Sequence, residues 1–310
     1  MRKVTAIAPG KINLYFSVGP LASDGFHSVA SLYQAIDIFE EVSISTAPET
    51  WSLSVTGSIS ETQLALVPTD ETNLVFKSTT LAAKLAGIES VRPSNLEIVK
   101  RIPVAGGMAG GSADAAAALL AACEKFGVQV STESLLRESA ALGSDVPFAL
   151  LGGAAVGLGR GDQLRPVTLG AELHFVLITN DHGLKTPAVY AQLDEHREAS
   201  GLNPKTMNEP EVPAALIAAL ETGDFAAIAN LIHNDLEPAA RSMLPELDLT
   251  IAAAEKFGAA RAFVSGSGPT VVALVESEPA AQDLAQKLSD ANFAVHVCKT
   301  TARGAELVGN

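Results

Sequence analysis

The alternation of apolar and polar residues predicts that the chain begins with β-strands. Val4 to Ile7 form a short apolar segment that we expect to end at Pro9-Gly10, and residues 11–16 alternate as in a strand with one solvated face. Apolar residues over 29–38, 41–46 and 51–55 predict three more strands. The first part of the chain is therefore predicted to be rich in β-structure.

Beyond residue 70 the spacing of apolar residues changes, and helices are predicted to alternate with strands. The predicted helices span residues 70–85, 112–126, 131–143, 213–220, 224–233, 247–257 and 279–288, and another begins at 185 and contains Tyr190. The predicted strands span residues 96–99, 151–157, 174–179, 262–265, 271–275 and 294–298. The pattern of apolar residues is interrupted around 166–170. This interruption predicts a domain boundary, with one domain of residues 1–168 and a second of residues 169–310.

The stretch from Pro103 to Leu120, PVAGGMAGGSADAAAALL, indicates a phosphate site. Its paired glycines permit positive φ and close approach of a ligand to the backbone. Ser112 supplies a capping hydroxyl, and the Ala/Leu run that follows favours a helix whose free N–H groups attract an anion. A flexible loop before an ordinary core helix is the alternative. The stretch lacks the Lys-Ser or Lys-Thr of a Walker A loop and the Gly spacing of a dinucleotide fingerprint.

Three other segments each admit two interpretations. Lys11 and Asn13 share one face of a strand, where Lys11 could equally be a surface residue of an edge strand. Asp145 precedes Val146-Pro147, where it could simply cap a helix. The Gly/Ser turn at 266–270 could be a plain hairpin, or it could meet the first Gly-rich loop around one ligand.

The composition favours small-molecule chemistry. Lys and Arg number 21 against 35 Asp and Glu, a net charge of −14, which argues against binding to nucleic acid or to an anionic membrane. No stretch approaches the roughly 20 apolar residues of a membrane span. Cys123 and Cys298 are typical of reduced core residues, so we expect a cytoplasmic protein. Anionic substrates must then be bound by local donors.

Residues 8–13 (APGKIN), the loop at 103–113 and the turn at 266–270 resemble, in this order, the three motifs of the GHMP small-molecule kinases. Residues 23–27 (SDGFH) and 142–148 (LGSDVPF) are similar to motifs of one family among them, the 4-diphosphocytidyl-2-C-methyl-D-erythritol kinases. The resemblance implies a two-domain α+β fold, with an N-terminal domain like domain 2 of ribosomal protein S5, a ferredoxin-like α/β C-terminal domain, and the active site in the cleft between them.

The resemblance also implies an activity and its cofactors. ATP, with Mg²⁺, would phosphorylate the 2-hydroxyl of diphosphocytidyl-methylerythritol in the non-mevalonate isoprenoid pathway. Lys11 and Asp145 match the catalytic pair: Asp145 would accept the hydroxyl proton, and Lys11 would stabilise the ionised oxygen and the transferring phosphoryl group.

Other residues acquire binding roles by the same match. Asn13, Phe26, His27, Thr186 and Tyr190 would bind the substrate, with His27 reading the cytosine edge and Phe26 and Tyr190 stacking on the ring. The ATP site would comprise Asn73, Lys100, Pro103, Val104, Ala105, Gly106, Gly107, Met108, Ala109, Gly110, Gly111, Ser112 and Ala113. The metal ligands are not assigned, with Ser112 only a candidate.

The sequence departs from the family pattern at several positions. Ala105, Met108 and Ala109 stand where many members have Gly, Leu and Gly, and Ala113-Asp114 replace a common Ser-Asn. The added methyl groups are tolerable only where positive φ is not required. Phe26 replaces a common Tyr, which keeps the stack and loses a hydroxyl hydrogen bond.

Two alternatives stay open at this point. Another GHMP kinase, such as a homoserine or mevalonate kinase, would share the phosphate loop but not the Asp-Gly-Phe-His segment. A non-catalytic ligand sensor on the same fold would need no base, so the presence of both Lys11 and Asp145 argues against it.

Overall fold

A computed structural model describes residues 3–47, 49–104, 106–180 and 183–309. The apolar segments near the N-terminus form two long antiparallel strands, β1 (Val4–Leu21) and β2 (His27–Thr46), instead of the shorter strands predicted. Strand β1 continues through Pro9-Gly10 because the pairing register shifts there. A bulge accommodates a proline that cannot donate to the ladder. The predicted break at Pro9-Gly10 was therefore wrong.

The other strands in the described ranges are β3 (Ser52–Gly57), β4 (Ser94–Lys100), β5 (Ala154–Leu158), β6 (Gln163–Val167), β7 (His174–Thr179), β8 (His233–Asn234), β9 (Arg261–Val264), β10 (Val271–Val275), β11 (Ala294–Lys299) and β12 (Glu306–Leu307). The larger sheet has the order β12-β1-β2-β4-β3, with β5 and then β6 continuing from β2, and with β8 parallel to β1. Strand β1 is thus an interior strand along part of its length.

The second sheet has the ferredoxin-like arrangement that was expected. Its order is β11-β7-β10-β9, and every pair in it is antiparallel. In chain order β7 is followed by helices, then by the hairpin β9–β10, a further helix and β11, which is the β-α-β-β-α-β connectivity. The mixed α+β fold with two sheet-based domains is confirmed.

The helices are α1 (Glu61–Leu64), α2 (Leu74–Leu85), α3 (Gly110–Phe126), α4 (Thr132–Ser139), α5 (Val146–Leu151), α6 (Thr186–Ala199), α7 (Ala214–Thr222), α8 (Phe225–Leu231), α9 (Glu237–Met243), α10 (Glu246–Lys256) and α11 (Glu278–Asp290). Helices α1 and α9 were not predicted, because one or two turns show no clear period. None of the helices in the described ranges combines the length and apolar character needed to cross a lipid bilayer.

Helix α3 is the element that brings the Gly-rich loop to the large sheet. Ala115 to Ala118 are almost completely buried, and the helix packs on β1, β2 and α2. Small side chains allow a helix to lie close to its neighbours on several sides. The backbone N–H of Lys11 also donates to the carbonyl of Met108 at 3.2 Å, which fixes the loop against β1.

Two features of the second half of the chain join it to the first sheet. Strands β8 and β12 both pair with β1, and one hydrophobic core contains Ile12 and Leu14 together with Phe263 and Val272. The division at residue 168 therefore stays a prediction.

The helix that follows the Gly-rich loop starts with a left-handed residue. Ala109 occupies the N-cap position with φ 57° and ψ 34° and makes no side-chain capping bond. The predicted capping hydroxyl of Ser112 was wrong, because the helix already begins at Gly110. At Ala109 the family glycine would suit the backbone better, since the left-handed region is costly for a residue with a Cβ.

We predict that Ala109→Gly raises the free energy of unfolding by about 0.5–1 kcal/mol. Relief of a left-handed strain of about 1–2 kcal/mol outweighs the entropy that a glycine adds to the unfolded chain. Urea denaturation measures the change. Ala86→Gly is the matched control: Ala86 is the C-cap of α2 with an ordinary φ of −81°, so this variant should lose stability. Equal losses in both variants would contradict a strained Ala109.

Candidate active site

A cavity of about 520 Å³ lies where β1, the Gly-rich loop, the 266–270 turn, α5 and α6 meet. Most of the residues predicted for the site line it. They are Lys11, Asn13, Asn73, Lys100, Pro103, Val104, Gly106, Gly107, Ala109, Gly110, Gly111, Ser112, Asp145, Thr186 and Tyr190. Segments that are far apart in the sequence thus converge on one space.

Several predicted residues occupy other positions. Met108 and Ala113 place their side chains in the hydrophobic core, so only their backbone faces the loop. Ala105 lies outside the described residues. Phe26 and His27 each contact a residue of the cavity wall: Phe26 touches Arg160 and His27 stacks on Tyr190.

The two Gly-rich turns pack against each other. Gly107 has φ 77°, and a Cβ there would clash with the carbonyl oxygen of Ser265. Gly266 has φ 57°, and a Cβ there would lie 3.1 Å from Oδ1 of Asn13. The 266–270 turn does connect the hairpin β9–β10, and it also lines the cavity. Of the two interpretations that the sequence left open, the turn is therefore part of a hairpin and also meets the first Gly-rich loop.

Lys11 is a buried residue of the cavity wall and not a surface residue of an edge strand. Its side chain is 9% exposed, and its Nζ donates to Oδ1 of Asn13 at 2.8 Å. Asn13 in turn donates to Oγ of Ser31 at 2.7 Å, so the acceptor of the lysine proton is itself fixed. Burial lowers the pKa of Lys11, while Asp145 acts in the opposite direction. The ammonium of Lys11 is therefore positioned by its hydrogen bond to Asn13, and the carboxylate of Asp145 lies close to it.

Asp145 supplies that carboxylate. Its Oδ2 lies 3.9 Å from Nζ of Lys11, and its side chain is 27% exposed, so solvent or a ligand can reach it. Asp145 occupies the N-cap position of α5, yet its side chain makes no capping hydrogen bond. Burial, and secondly Asp145, raise the pKa of the adjacent Tyr33 well above its ordinary value. The carboxylate is therefore available for chemistry.

Tyr190, which lines the cavity, stacks on the ring of His27. His27 lies 5.4 Å from Tyr190 between ring centroids, at an interplanar angle of 26°. Its Nδ1 is 3.0 Å from the carbonyl oxygen of Gly19, and its Nε2 is 3.1 Å from Oδ2 of Asp194. Both imidazole nitrogens thus already face acceptors within the protein. Burial, and secondly Asp145, raise the pKa of Tyr190.

Lys100 and Asn73 are held by the protein itself. Lys100 Nζ lies 2.6 Å from Oε1 of Glu40 and 2.7 Å from Oδ2 of Asp114, and all three side chains are almost fully buried. Asn73 caps α2 by accepting from Val75 N at 3.1 Å. Both residues line the cavity, but their side-chain polar atoms bind other groups of the protein and so hold the cavity wall in place.

The buried cluster of Glu40, Lys100 and Asp114 carries one more negative than positive charge when all three groups are ionised. Burial lowers the pKa of Lys100, but Asp114 and Glu40 together raise it above its ordinary value. Burial, with a contribution from Asp114, raises the pKa of Glu40 to about 7 against the effect of Lys100. Oδ1 of Asp114 has no hydrogen-bond partner among the described residues.

Sequence reasoning missed Glu40, although a signal was present. Glu40 alternates with Val42 and Ile44, which are core residues of β2, so it had to point inward. Its carboxylate accepts from the backbone N–H groups of Arg101 at 2.8 Å and Ile102 at 3.2 Å. Glu40 thereby holds the chain where it enters the Gly-rich loop.

Comparison with known proteins agrees with this geometry. Residues 73–153 match the N-terminal domain of the GHMP kinases, and residues 216–294 match the C-terminal region of the same family. A crystal structure of 4-(cytidine 5'-diphospho)-2C-methyl-D-erythritol kinase superposes with a TM-score of 0.74 at 26% identity, covering 96% of this chain and 98% of that one. Fold and site define a GHMP-type small-molecule kinase.

Two curated relatives narrow the assignment. The relative from Arthrobacter sp. (strain FB24) is 46% identical over 290 residues, which cover 93% of this chain and 89% of the relative. The relative from Leifsonia xyli subsp. xyli (strain CTCB07) is 41% identical over the full length of both chains. Both are named 4-diphosphocytidyl-2-C-methyl-D-erythritol kinase. The chain belongs to this family, so the resemblance identified from the motifs is confirmed.

We predict that the stability of the protein falls between about pH 5 and pH 8 because of Glu40. Its pKa rises from 4.5 to about 7 on folding. The folded protein therefore holds a proton that the unfolded chain releases in this range, and the free energy of unfolding decreases as pH rises, by on the order of 2 kcal/mol. Urea denaturation across this pH range measures the slope.

Glu40→Gln should remove this part of the slope, whereas Glu41→Gln on the same strand should keep it. Asp114→Asn should shift the decrease to lower pH, because Asp114 contributes to the raised pKa of Glu40. Identical slopes in the wild type and the Glu40 variant would show that this carboxylate does not titrate in the range.

Proposed function

We propose that the chain transfers the γ-phosphate of ATP to the 2-hydroxyl of 4-diphosphocytidyl-2-C-methyl-D-erythritol in the non-mevalonate isoprenoid pathway. The observation that carries the proposal is the pair of Lys11 and Asp145, 3.9 Å apart in the same cavity as the Gly-rich loop. Relatives at 41–46% identity bear the name of this kinase. They favour it over a homoserine or mevalonate kinase, and the retained pair argues against a sensor.

The Gly-rich loop is suited to binding the phosphates of a nucleoside triphosphate. The first N–H groups of α3 have no partner within the helix and attract anions. At Gly111 the direction that a Cβ would take is open, so phosphates can approach the backbone there. We assign the ATP phosphates to residues 106–112, with Asn73 and Lys100 shaping the adenine side. ATP supplies the phosphoryl group. Its transfer to the acceptor mainly requires that the protein position the reactants and neutralise the negative charge of the phosphates.

Mg²⁺ is proposed to enter with the nucleotide. In the described ranges no group of three or more His, Cys, Asp and Glu side chains could hold a metal ion. Magnesium in kinases is commonly bound by substrate phosphates and only one or two protein groups. The Ser112 hydroxyl, half-buried in the first turn of α3 and lining the cavity, is the protein donor that we assign.

Asp145 is the proposed proton acceptor. A partly exposed carboxylate without a capping bond can take the proton from the 2-hydroxyl as the hydroxyl oxygen attacks the phosphorus. Lys11 stabilises the negative charge on that oxygen and on the transferring group, and Asn13 holds the lysine in place. A buried ammonium acts more strongly than an exposed one because the surroundings screen it less.

The aromatic wall is the proposed site for the cytidine end of the acceptor. Tyr190 lines the cavity and can stack on a base, and Asn13 and Thr186 line the same space. Thr186 is fixed by Ser267, whose Oγ lies 2.9 Å from its own. Because both nitrogens of His27 have partners, we propose that its imidazole orients Tyr190 and leaves the cytosine edge to other donors.

The domain division at residue 168 and a cytoplasmic location complete the proposal. The first sheet carries Lys11 and the second half of the chain contributes Thr186 and Tyr190, which supports a site between two domains. Cys123 and Cys298 are free and buried, which supports a reducing compartment.

We predict that the protein consumes ATP with diphosphocytidyl-methylerythritol as acceptor, and that Asp145→Asn lowers kcat by about 10²-fold or more. The KM for ATP and the folded state should change little, because the Asp145 carboxylate caps no helix. A coupled assay of ADP formation measures the rates, and circular dichroism verifies folding.

Homoserine and mevalonate serve as alternative acceptors in the same assay. Asp283→Asn is the matched control, since it makes the same charge change at an exposed position of α11. Faster turnover of homoserine or mevalonate would assign the enzyme to another branch of the superfamily. Near-normal turnover by Asp145→Asn would exclude this carboxylate as the base.

We predict that Gly111→Val weakens ATP binding by about tenfold or more, because its side chain would occupy the space assigned to the phosphates. Gly111→Ala should produce a smaller loss. Gly110→Val is unsuitable as a test, since a Cβ at Gly110 would lie 3.1 Å from Oε1 of Glu40 and would disturb packing. Calorimetric titration measures the affinity, and an unchanged value in folded Gly111→Val would separate the loop from the nucleotide.

A further inference from the structure

The exposed ring of Phe26 is held by a charged side chain. Phe26 lies on the turn between β1 and β2 and is 55% exposed. The guanidinium carbon of Arg160 lies over this ring, 4.0 Å from its centroid. Guanidinium groups stack favourably on aromatic faces. One face of Phe26 is therefore covered, although the ring is not part of the core.

Arg160 is in turn fixed at both ends. Its Nη2 lies 2.7 Å from Oδ2 of Asp24, two residues before Phe26. Its own backbone belongs to the turn between β5 and β6, which is joined to β2 by the hydrogen bond from Val29 N to Gly159 O at 2.8 Å. The turn that carries Phe26 is thus attached to the β5–β6 hairpin of the large sheet.

Stability alone does not explain this arrangement. The side chains of Arg160 and Asp24 are 55% and 52% exposed, and ion pairs in that setting contribute little to folding. Arg160 does line the active-site cavity. Phe26 also lacks the hydroxyl with which a tyrosine could anchor its ring, so contacts to its faces and edge must fix its orientation.

We propose that Arg160 is a positioning residue for acceptor binding, which holds Phe26 in the orientation that receives the base of the acceptor. This inference rests on the proposed function. Ordering the ring before binding reduces the entropy that the acceptor must overcome, and Arg160 does this through Phe26 and not through its charge alone.

Steady-state kinetics of Arg160→Ala, Phe26→Ala and the double variant test the proposal. Arg160→Ala should raise the KM for the cytidyl acceptor about two- to fivefold and leave the KM for ATP unchanged. In the Phe26→Ala background the same substitution should add little, because the ring through which Arg160 acts is gone. Arg160→Lys should resemble Arg160→Ala, since an ammonium lacks the planar face.

Arg165→Ala is the matched control, because it removes an exposed arginine from the same β5–β6 hairpin. It should leave both KM values unchanged. An unaltered acceptor KM in Arg160→Ala, or an equal rise in the wild-type and Phe26→Ala backgrounds, would overturn the positioning role while the kinase assignment stands. A wild-type protein that does not phosphorylate the cytidyl acceptor would overturn both.

Discussion

A buried lysine between two carboxylates is the interaction on which the Gly-rich loop depends. Glu40 belongs to β2, Lys100 ends β4, and Asp114 lies in α3, so the cluster joins the three elements around the loop. Glu40 also binds the backbone that enters the loop at Arg101 and Ile102. Loss of Lys100 would leave two buried carboxylates without a cation, which is strongly destabilising. The loop geometry is therefore tied to the core.

Close backbone approach is the second constraint on the site. Gly107 lies against Ser265, and Gly266 lies against Asn13, so the two turns and β1 form one wall. This wall places Lys11 in a buried position with Asp145 as the facing carboxylate. The fold thus places a buried cation, a partly exposed carboxylate and a helix N-terminus around one cavity, and these are groups that the proposed phosphoryl transfer would use.

The predictions that failed share a physical cause. Pro9-Gly10 and the residues between 38 and 41 suggested breaks, but pairing between β1 and β2 carries both strands through by a register shift. An alanine at position 109 was expected to be tolerated only if its φ is negative. Tertiary packing of the loop instead imposes a φ of 57°. In each case a partner far away in the chain decided the outcome.

By itself the sequence determined the family, the strand–loop–helix around the Gly-rich segment and the limits of β7, because these depend on short motifs, local helix propensity and periodicity. It also indicated that Lys11 and Asn13 share a face. Tertiary structure alone decided that both Gly-rich turns meet, that Asp145 leaves α5 uncapped to face Lys11, and that Arg160 covers Phe26. These contacts join residues more than a hundred positions apart, and their distances follow from packing of sheets and helices, which no local pattern encodes.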